Sequence, residues 1–294
     1  SFRDACRHRR AMGCGAGAPR LSQRIDITVV PPRPDDPADR RKRVALCLSG
    51  GMCDKASWKL AHGALVSHLI NANSADYQFH VFAHVYFFGP ECTEAFSELC
   101  SWEAIRSARS EEWSASIAED IAKQNPHLDA APASERCQPL NVASMWRKIM
   151  LCHGLTRDQL CCYDLVIRSR PDLLILAPVH LEQLDVGRLC LPWRSAASGL
   201  ASDQFAVGPP EAMAMYSTLY KCLDSYCAQE HKADPDIIYP ERLLHHHLAA
   251  CPEAPALFEF RCALLRAGGV RDDPYRKLKE VFPDAGFPDL LSNL

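Results

Sequence analysis

Apolar residues follow two alternating patterns along the chain: short continuous runs and longer segments with helical spacing. The continuous runs near residues 44–48, 79–88 and 163–168 predict buried β-strands. Segments 58–70 and 141–155 carry an apolar residue every three or four positions, which predicts helices with one buried face. Strands that alternate with helices are typical of an α/β fold, in which helices cover both faces of a largely parallel sheet.

Weaker signals continue this alternation. Asn141 is the expected N-cap of the helix that ends near residue 155, and Pro210 is expected to open another helix. The remaining predicted elements are helices over 93–106, 111–123 and 240–250 and strands near 188–191 and 204–207. The whole pattern predicts a twisted, mostly parallel sheet inside one α/β domain.

Residues 1–43 have the composition of a leader or linker. They combine an Arg-rich start with the stretches G-C-G-A-G-A-P and P-P-R-P-D-D-P, which are incompatible with a regular helix or strand. We expect a disordered basic segment here, with the α/β domain occupying residues 44–294. An Arg-rich start with few acidic residues also fits a transit peptide, and this alternative stays open.

Charge is divided unevenly between this leader and the rest of the chain. Residues 1–43 contain eleven Lys and Arg against five Asp and Glu, whereas the remainder contains twenty-two against thirty-one. A surface that binds nucleic acid needs clustered cations to neutralise phosphates. The acidic main body therefore argues against a nucleic-acid partner, while a hydrophobic content of 48% supports a sizeable core.

Cysteine usage bears on the cellular compartment. The chain has 15 cysteines and no C-x-x-C pair, which argues against a zinc ribbon or a thioredoxin-like site. Cys47 and Cys190 lie inside apolar runs, as small buried hydrophobic residues do. These features favour a reducing, cytoplasmic location. The chain contains no run of about eighteen apolar residues, so no transmembrane helix is predicted. The chain begins at Ser1, so an upstream anchor or signal stays open.

The first candidate site is Ser49-Gly50-Gly51, which follows the first predicted strand of the domain. Ligands of open α/β sheets bind outside the carboxyl ends of the strands. A tight Ser-Gly-Gly turn would let backbone N–H groups approach a base or a phosphate closely. A plain structural turn is the alternative interpretation.

The same segment resembles the start of the S-G-G-x-D-S phosphate loop of ATP pyrophosphatases. The match is incomplete, because Met52-Cys53 places one extra residue before Asp54, and Lys55 stands where that family has Ser. Successive N–H groups must converge on the same phosphate oxygens, so one extra residue matters. An adenylating enzyme of this type, with ATP as its ligand, is an alternative function.

The second candidate site is the segment R-S-R-P-D at residues 168–172, after another predicted strand. Alternation along a strand places Arg168 and Arg170 on the same side. Two guanidinium groups and a carboxylate are costly to bury without a partner. A diphosphate, with or without Mn²⁺ or Mg²⁺ bound to Asp172, would supply that partner. An internal Arg–Asp ion pair is the alternative.

Three further polar residues are candidates near these strand ends. Asp203 lies on a loop before an apolar strand, where it could act as a general base or cap a turn. His84, near the end of the second strand, could reach the same pocket, and a hydrogen-bonded structural role is its alternative. Lys148, on the helix before the arginine segment, could face the ligand at these strand ends, although residues in such positions more often face water.

Three segments occur in order along the chain: R-V-A-L-C-L-S-G, Y-D-L-V-I-R-S-R-P-D and S-D-Q-F-A-V-G-P-P-E-A-M. Together with F-H-V-F-A-H-V-Y and S-M-W-R-K-I, they resemble a family of glycosyltransferases with the GT-A-type fold, found in bacteria, algae and large viruses. The resemblance runs from Arg43 to Ala250. It implies a Rossmann-like three-layer sandwich that transfers a sugar from a nucleotide-diphosphate donor to a glycan or another hydroxyl acceptor.

The resemblance also implies roles for the candidate residues. It places the nucleotide-sugar donor near a set of residues at the strand ends: Ser49, Gly50, Gly51, His84, Arg168, Arg170 and Asp172. Arg170 would stabilise the departing diphosphate, and Asp203 would be the base on the acceptor side. The chain departs from the family in two ways, with Gly51-Met52 where Gln-Arg is usual and one carboxylate where many such enzymes have Asp-x-Asp. A non-catalytic relative that only binds nucleotide is a further alternative.

Overall fold

The computed structural model describes residues 24–27, 39–130, 138–193, 201–230, 239–251 and 253–265 of the chain. Its strands are β1 (Arg24–Ile27), β2 (Lys42–Gly51), β3 (Tyr77–Phe87), β4 (Ile105–Glu112), β5 (Leu165–Ser169), β6 (Leu173–Ile175), β7 (Cys190–Pro192), β8 (Ala206–Gly208), β9 (Ala256–Phe258) and β10 (Cys262–Leu264). Its α-helices are α1 (Lys55–Leu65), α2 (Glu91–Ser101), α3 (Ala115–Gln124), α4 (Pro139–Thr156), α5 (Pro210–Ser217), α6 (Leu219–Glu230) and α7 (Pro240–Leu248). A π-helical turn, Val66–Ile70, continues α1.

Eight strands form one sheet in the order β1-β4-β3-β2-β5-β8-β7-β9. The four neighbours β4, β3, β2 and β5 are parallel, whereas β1 is antiparallel to β4 and β8 is antiparallel to β5. Strand β7 is antiparallel to β8 and parallel to β9, and β6 pairs with β10 in a separate sheet. The predicted α/β fold with a mostly parallel sheet is confirmed.

Strand β2 explains why both faces of the sheet are covered. Val44, Leu46 and Leu48 pack into the core on the face of α1 and α2, while Ala45 and Cys47 pack into the core on the face of α4. Such a continuous buried run is typical of a central strand in a parallel sheet. Helices on each side of the sheet therefore form three layers.

Strand β4 replaces parts of the helices that were predicted over 93–106 and 111–123. Helix α2 ends at Ser101, β4 occupies Ile105–Glu112, and α3 begins at Ala115. The segment I-R-S-A-R-S-E-E has few apolar residues, so its local pattern does not indicate a strand. Backbone pairing with β3 on one side and β1 on the other decides its conformation instead.

The prediction of a tight turn at Ser49-Gly50-Gly51 is wrong. These residues are the last three of β2, and they still pair with β3. Gly50 has a φ of 139°, a conformation that residues other than glycine rarely adopt. The chain turns at 52–54 instead, where Asp54 caps α1 by accepting a hydrogen bond from the Ser57 backbone N–H at 3.0 Å.

Helix α4 begins earlier than predicted. It starts at Pro139 with Gln138 in the N-cap position, so the predicted cap, Asn141, lies inside the first turn. Proline is favoured in the first turn because its missing N–H group would have no partner there. The predicted apolar face of this helix is confirmed by the burial of Val142 and Ile149.

Part of the predicted leader belongs to the sheet. Arg24–Ile27 forms the edge strand β1, and β2 begins at Lys42, slightly before the predicted start of the domain. Apart from 24–27 and 39–43, the predicted leader lies outside the described residues, and its disorder stays a prediction. None of the described helices combines the length and apolar character needed to cross a membrane.

A buried asparagine joins the end of the α1 segment to the loop that precedes β7. The Asn73 amide donates to the backbone carbonyls of Leu69 at 2.6 Å and Val179 at 2.7 Å. Its side-chain oxygen accepts a hydrogen bond from the Leu181 N–H at 2.8 Å. These bonds satisfy buried backbone groups that cannot bond to water, so they hold the end of the α1 segment against the loop that precedes β7.

We expect Asn73→Ala to lower the free energy of unfolding by about 3 kcal/mol, because several buried backbone groups lose their partner. The exposed Asn71 is a matched control, and Asn71→Ala should change that free energy by less than about 0.5 kcal/mol. Urea unfolding followed by tryptophan fluorescence measures both variants. Equal unfolding midpoints would contradict a structural role for the Asn73 side chain.

Candidate functional site

The carboxyl ends of β2 and β5 meet the beginning of β8 at one edge of the sheet. Strands β2 and β5 are parallel, so both end there, and β8 is antiparallel to β5, so it begins there. We call this the carboxyl edge. It brings together Ser49, Arg168 and Asp203, which are far apart in sequence. Open α/β sheets bind their ligands at such an edge.

Arg168 lies at the centre of this group. Only 1% of the residue is exposed, and its Nη1 donates to the backbone carbonyl of Asp203. Its Nε lies 3.5 Å from Ser49 Oγ, at the limit of a hydrogen bond. Its Nη2 has no hydrogen-bond partner among the described residues. The guanidinium is therefore desolvated and only partly satisfied, which favours an anion beside it.

The surroundings of Arg168 also fix the position of Asp203. The Tyr216 hydroxyl donates to the same backbone carbonyl at 3.3 Å, so two buried donors converge on that oxygen. Burial lowers the pKa of Arg168, while the proximity of Tyr216 and Asp203 opposes this shift. The acid thus stands beside a buried cation, on a backbone that cannot move without breaking both bonds.

Arg170 and Asp172 form the internal ion pair that was the alternative for this segment. Arg170 Nε donates to Oδ1 and its Nη2 to Oδ2 of Asp172, both at 2.7 Å. Burial opposes the charge of Arg170, but Asp172 outweighs it and raises the pKa of the guanidinium. Between them, Pro171 packs near Gly50, whose added Cβ would stand 3.7 Å from Pro171 Cδ. The arginine segment therefore lies against the end of β2.

The carboxylates at the carboxyl edge do not by themselves make a metal site. Asp172, the predicted ligand, uses both oxygens in its bidentate contact with Arg170. No group of three or more metal-binding side chains occurs in the part of the chain that the structure describes. A Mn²⁺ or Mg²⁺ ion bound by Asp172 would therefore take its other oxygen ligands from phosphate and water. The metal role of Asp172 stays a prediction, and we assign no step to a metal.

His84 lies beside Ser49 on the neighbouring strand, as the predicted site requires. The two residues are register partners of β3 and β2. His84 Nδ1, however, lies 2.9 Å from Lys148 Nζ, so this nitrogen is engaged inside the protein. Lys148 is fully buried, and the expectation that it faces water is wrong. Its Nζ sits 3.5 Å above the centre of the Tyr86 ring, a favourable site for a cation.

Glu111 is the counter-ion of this buried group, and the sequence did not point to it. Its Oε2 accepts hydrogen bonds from Lys148 at 2.8 Å and from Arg147 at 2.9 Å. Burial raises the pKa of Glu111, but the two cations outweigh it and bring the value to about 2. Burial lowers the pKa of Lys148 to about 7 against the opposing effect of Glu111. Glu111 lies on β4, which the sequence pattern did not predict, so no local signal linked it to the site.

These polar residues form one row on the α4 face of the sheet. Ser49 on β2 lies between β5, which carries Arg168, and β3, which carries His84. Glu111 follows on β4, where it is the register partner of Tyr86 on β3. The row thus crosses β5, β2, β3 and β4. One half, around Lys148, is satisfied internally, whereas the half around Arg168 keeps an unused donor in the described residues. We call these halves the closed half and the open half.

The open half is the candidate ligand site, because its guanidinium keeps an unused donor in the described residues. Comparison with protein-family models and with curated proteins finds no match for this chain. The chemistry of the site must therefore carry the functional proposal. A buried guanidinium with an unused donor favours a negatively charged group beside that donor.

Acid should destabilise the folded protein through His84. Burial, together with the charge of Lys148, lowers the pKa of His84 from 6.5 to about 3. Below pH 6.5 the unfolded chain therefore binds a proton that the folded chain does not. We expect the free energy of unfolding to fall as the pH drops from about 6.5 towards 3, with His84 contributing on the order of 3 kcal/mol.

The variant His84→Gln isolates this contribution, because it keeps a polar side chain without a titrating ring. It should make the profile between pH 6.5 and 4.5 less steep without flattening it, because burial also lowers the pKa values of His62, His153 and His247, through which stability is lost in the same range. Glu111 loses its stabilising effect only below its ordinary pKa of 4.5. Urea unfolding at pH 7, 6 and 5 measures how steeply the free energy of unfolding changes with pH. The same slope in both proteins would contradict a neutral, buried His84.

Proposed function

We propose that this chain is a glycosyltransferase that moves a sugar from a nucleotide-diphosphate donor to a hydroxyl acceptor, such as a glycan. The observation that carries the proposal is the buried, partly satisfied guanidinium of Arg168 at the carboxyl edge, with Arg170 two residues away. The resemblance of three ordered segments to GT-A-type enzymes supports the same substrate. The GT-A-type form of the α/β fold belongs to this proposal.

A diphosphate suits the open half better than a small anion does. Guanidinium groups bind phosphate oxygens through paired N–H donors, and a diphosphate offers several acceptors. Arg168 would use its free Nη2, whereas Arg170 would share its charge between Asp172 and the ligand. Without a side chain, Gly50 leaves room for close approach. During transfer, both arginines would stabilise the charge that builds on the departing diphosphate.

Asp203 is the proposed general base for a reaction that inverts the anomeric carbon. Such a base must reach the acceptor hydroxyl directly or through one water molecule. Hydrogen bonds from Arg168 and Tyr216 to its backbone carbonyl keep Asp203 near Arg168, so it would lie beside a diphosphate bound by that guanidinium. In a retaining reaction, the same residue would be a contact to the acceptor.

The adenylating alternative has less support. A phosphate loop turns tightly after its strand, whereas Ser49-Gly50-Gly51 continue β2. Asp54 is engaged as a helix cap, with its Oδ1 accepting from the Ser57 N–H at 3.0 Å and its Oδ2 from the Ser57 hydroxyl at 2.8 Å. Both observations favour the transferase. A non-catalytic nucleotide-binding relative is an outcome of the experiments that follow.

Nucleotide binding is the first test. We expect one of UDP, GDP or CDP, with or without Mn²⁺, to stabilise the full chain by about 2.7 kcal/mol at a hundred times its dissociation constant. Arg168→Met should weaken that affinity at least about tenfold, because it removes a cation with an unused donor. Thermal unfolding as a function of ligand concentration measures both effects.

Two controls separate binding from folding. Arg168→Met should leave the unliganded protein as stable as the wild type or more so, since an apolar side chain of similar length replaces a buried charge. Arg261 is exposed and pairs with Glu259, so Arg261→Met should bind nucleotide as the wild type does. Stabilisation by ATP alone would favour the adenylating enzyme. If no nucleotide stabilises the protein, the proposed transferase function is contradicted.

Turnover is the second test. Asp203→Asn should lower kcat at least about a hundredfold and leave donor affinity within about threefold, because a general base acts on the acceptor. The assay measures nucleoside diphosphate released from a sugar nucleotide in the presence of simple sugar acceptors. Asp185→Asn, which alters an exposed carboxylate before β7, is the matched control. Full activity in Asp203→Asn would remove this residue from the mechanism, and binding without turnover in the wild type would identify a binding relative.

A further inference from the structure

Two large hydrophobic side chains are exposed in the described part of the chain, and both stand at the carboxyl edge. Phe88 is 55% exposed and Trp193 is 45% exposed. Phe88 directly follows β3, which is parallel to β2 and ends at this edge. Trp193 directly follows β7, which points the same way as β5 because both are antiparallel to β8. Packing in the core therefore does not explain why a large aromatic residue occupies either position.

The two rings lie on opposite sides of the charged centre. Along the sheet order, Phe88 stands two strands from the arginines of β5 on one side, and Trp193 stands two strands from them on the other. With neighbouring strands about 4.8 Å apart, each ring is about 10 Å from the arginine strand. A ribose unit can bridge such a gap between a diphosphate and a base. Asp203 lies on the Trp193 side of the arginines, because it precedes β8.

Phe88 is held as a platform by the residues around it. A Cβ added to Gly51 would stand 2.5 Å from Phe88 Cε2, so the ring lies over the bare backbone of this glycine. Trp113 lies beside it, with ring centres 6.4 Å apart. Tyr86 in turn packs against the edge of Trp113 at 5.1 Å. The ring is thus supported from below and from one side, while more than half of its surface stays open.

We propose that Phe88 is the stacking platform for the base of the donor nucleotide, an inference that rests on the proposed function. Every base has a flat π-face, which an exposed aromatic ring can cover. Asp203, the residue proposed as the general base for the acceptor hydroxyl, lies on the other side of the arginines from Phe88. The donor must therefore extend from the arginines across Gly51 to Phe88. The acceptor then meets the protein on the side of Trp193.

Binding of two probes separates stacking from charge. The first probe is the nucleoside diphosphate that binds the wild type best, and the second is inorganic pyrophosphate, which has no base. Phe88→Leu should weaken nucleoside diphosphate binding about tenfold and leave pyrophosphate binding within about twofold. Trp193→Leu is the matched control, an exposed ring at the same edge, and it should leave nucleoside diphosphate affinity unchanged. Isothermal titration of the full chain measures all of these affinities.

A second variant keeps the Phe88 ring but fills the space over Gly51 in which the ring lies. Gly51→Ala places a methyl group where Phe88 now lies, so it should displace the ring and weaken nucleoside diphosphate binding as Phe88→Leu does. Thermal unfolding without ligand confirms that each variant is folded.

Several results would overturn the assignment of the base to Phe88. These are unchanged nucleoside diphosphate affinity in Phe88→Leu, an equal loss for pyrophosphate, or a loss confined to Trp193→Leu. In each case the wild type still binds nucleotide, so the proposed function survives. A wild type that binds neither probe would overturn the proposed function, and the platform with it.

Discussion

The pairing of β2 with a parallel strand on each side is the constraint on which the rest of the structure depends. Because β3, β2 and β5 run in the same direction, their carboxyl ends come to one edge, and β8 must begin there. Burial of β2 on both faces makes this arrangement hard to shift, since a change of register would expose its apolar residues. The polar row, the glycine backbone and the exposed rings all take their positions from it.

The polar row places charge in the interior, and its two halves handle that charge differently. In the closed half, Glu111 accepts hydrogen bonds from Lys148 and Arg147, so each charged group has an opposite partner. In the open half, the Arg168 guanidinium hydrogen-bonds within the described residues to the Asp203 backbone carbonyl and, at the 3.5 Å limit, to the Ser49 hydroxyl, while its Nη2 has no partner there. An unused donor on a buried cation is unfavourable in the free protein, and an anion beside it would relieve that penalty. The internal ion pairs and the unused donor thus lie in different halves of the same row.

The Arg170–Asp172 pair lies between these two situations. Its bidentate geometry satisfies both side chains and pins the segment after β5 against the end of β2. The pair keeps a second guanidinium beside Arg168 without leaving it unpaired. The segment presents positive charge in a fixed place, which suits recognition of a charged leaving group.

The sequence by itself determined the central strands, the helices that begin at Pro210 and Pro240, and the choice of Arg168, Arg170 and Asp203 as candidates. Local composition suffices there, because a strand buried on both faces must be continuously apolar, and charged residues at its end stand out. Only the tertiary structure decided that I-R-S-A-R-S-E-E is a strand, that Asp172 pairs with Arg170, and that His84 contacts Lys148. Backbone pairing across the sheet decides the first. Side-chain directions set by the fold select the Arg170–Asp172 pair from the alternatives that the sequence left open. A contact between elements distant in sequence places His84 beside Lys148, and local composition does not encode it.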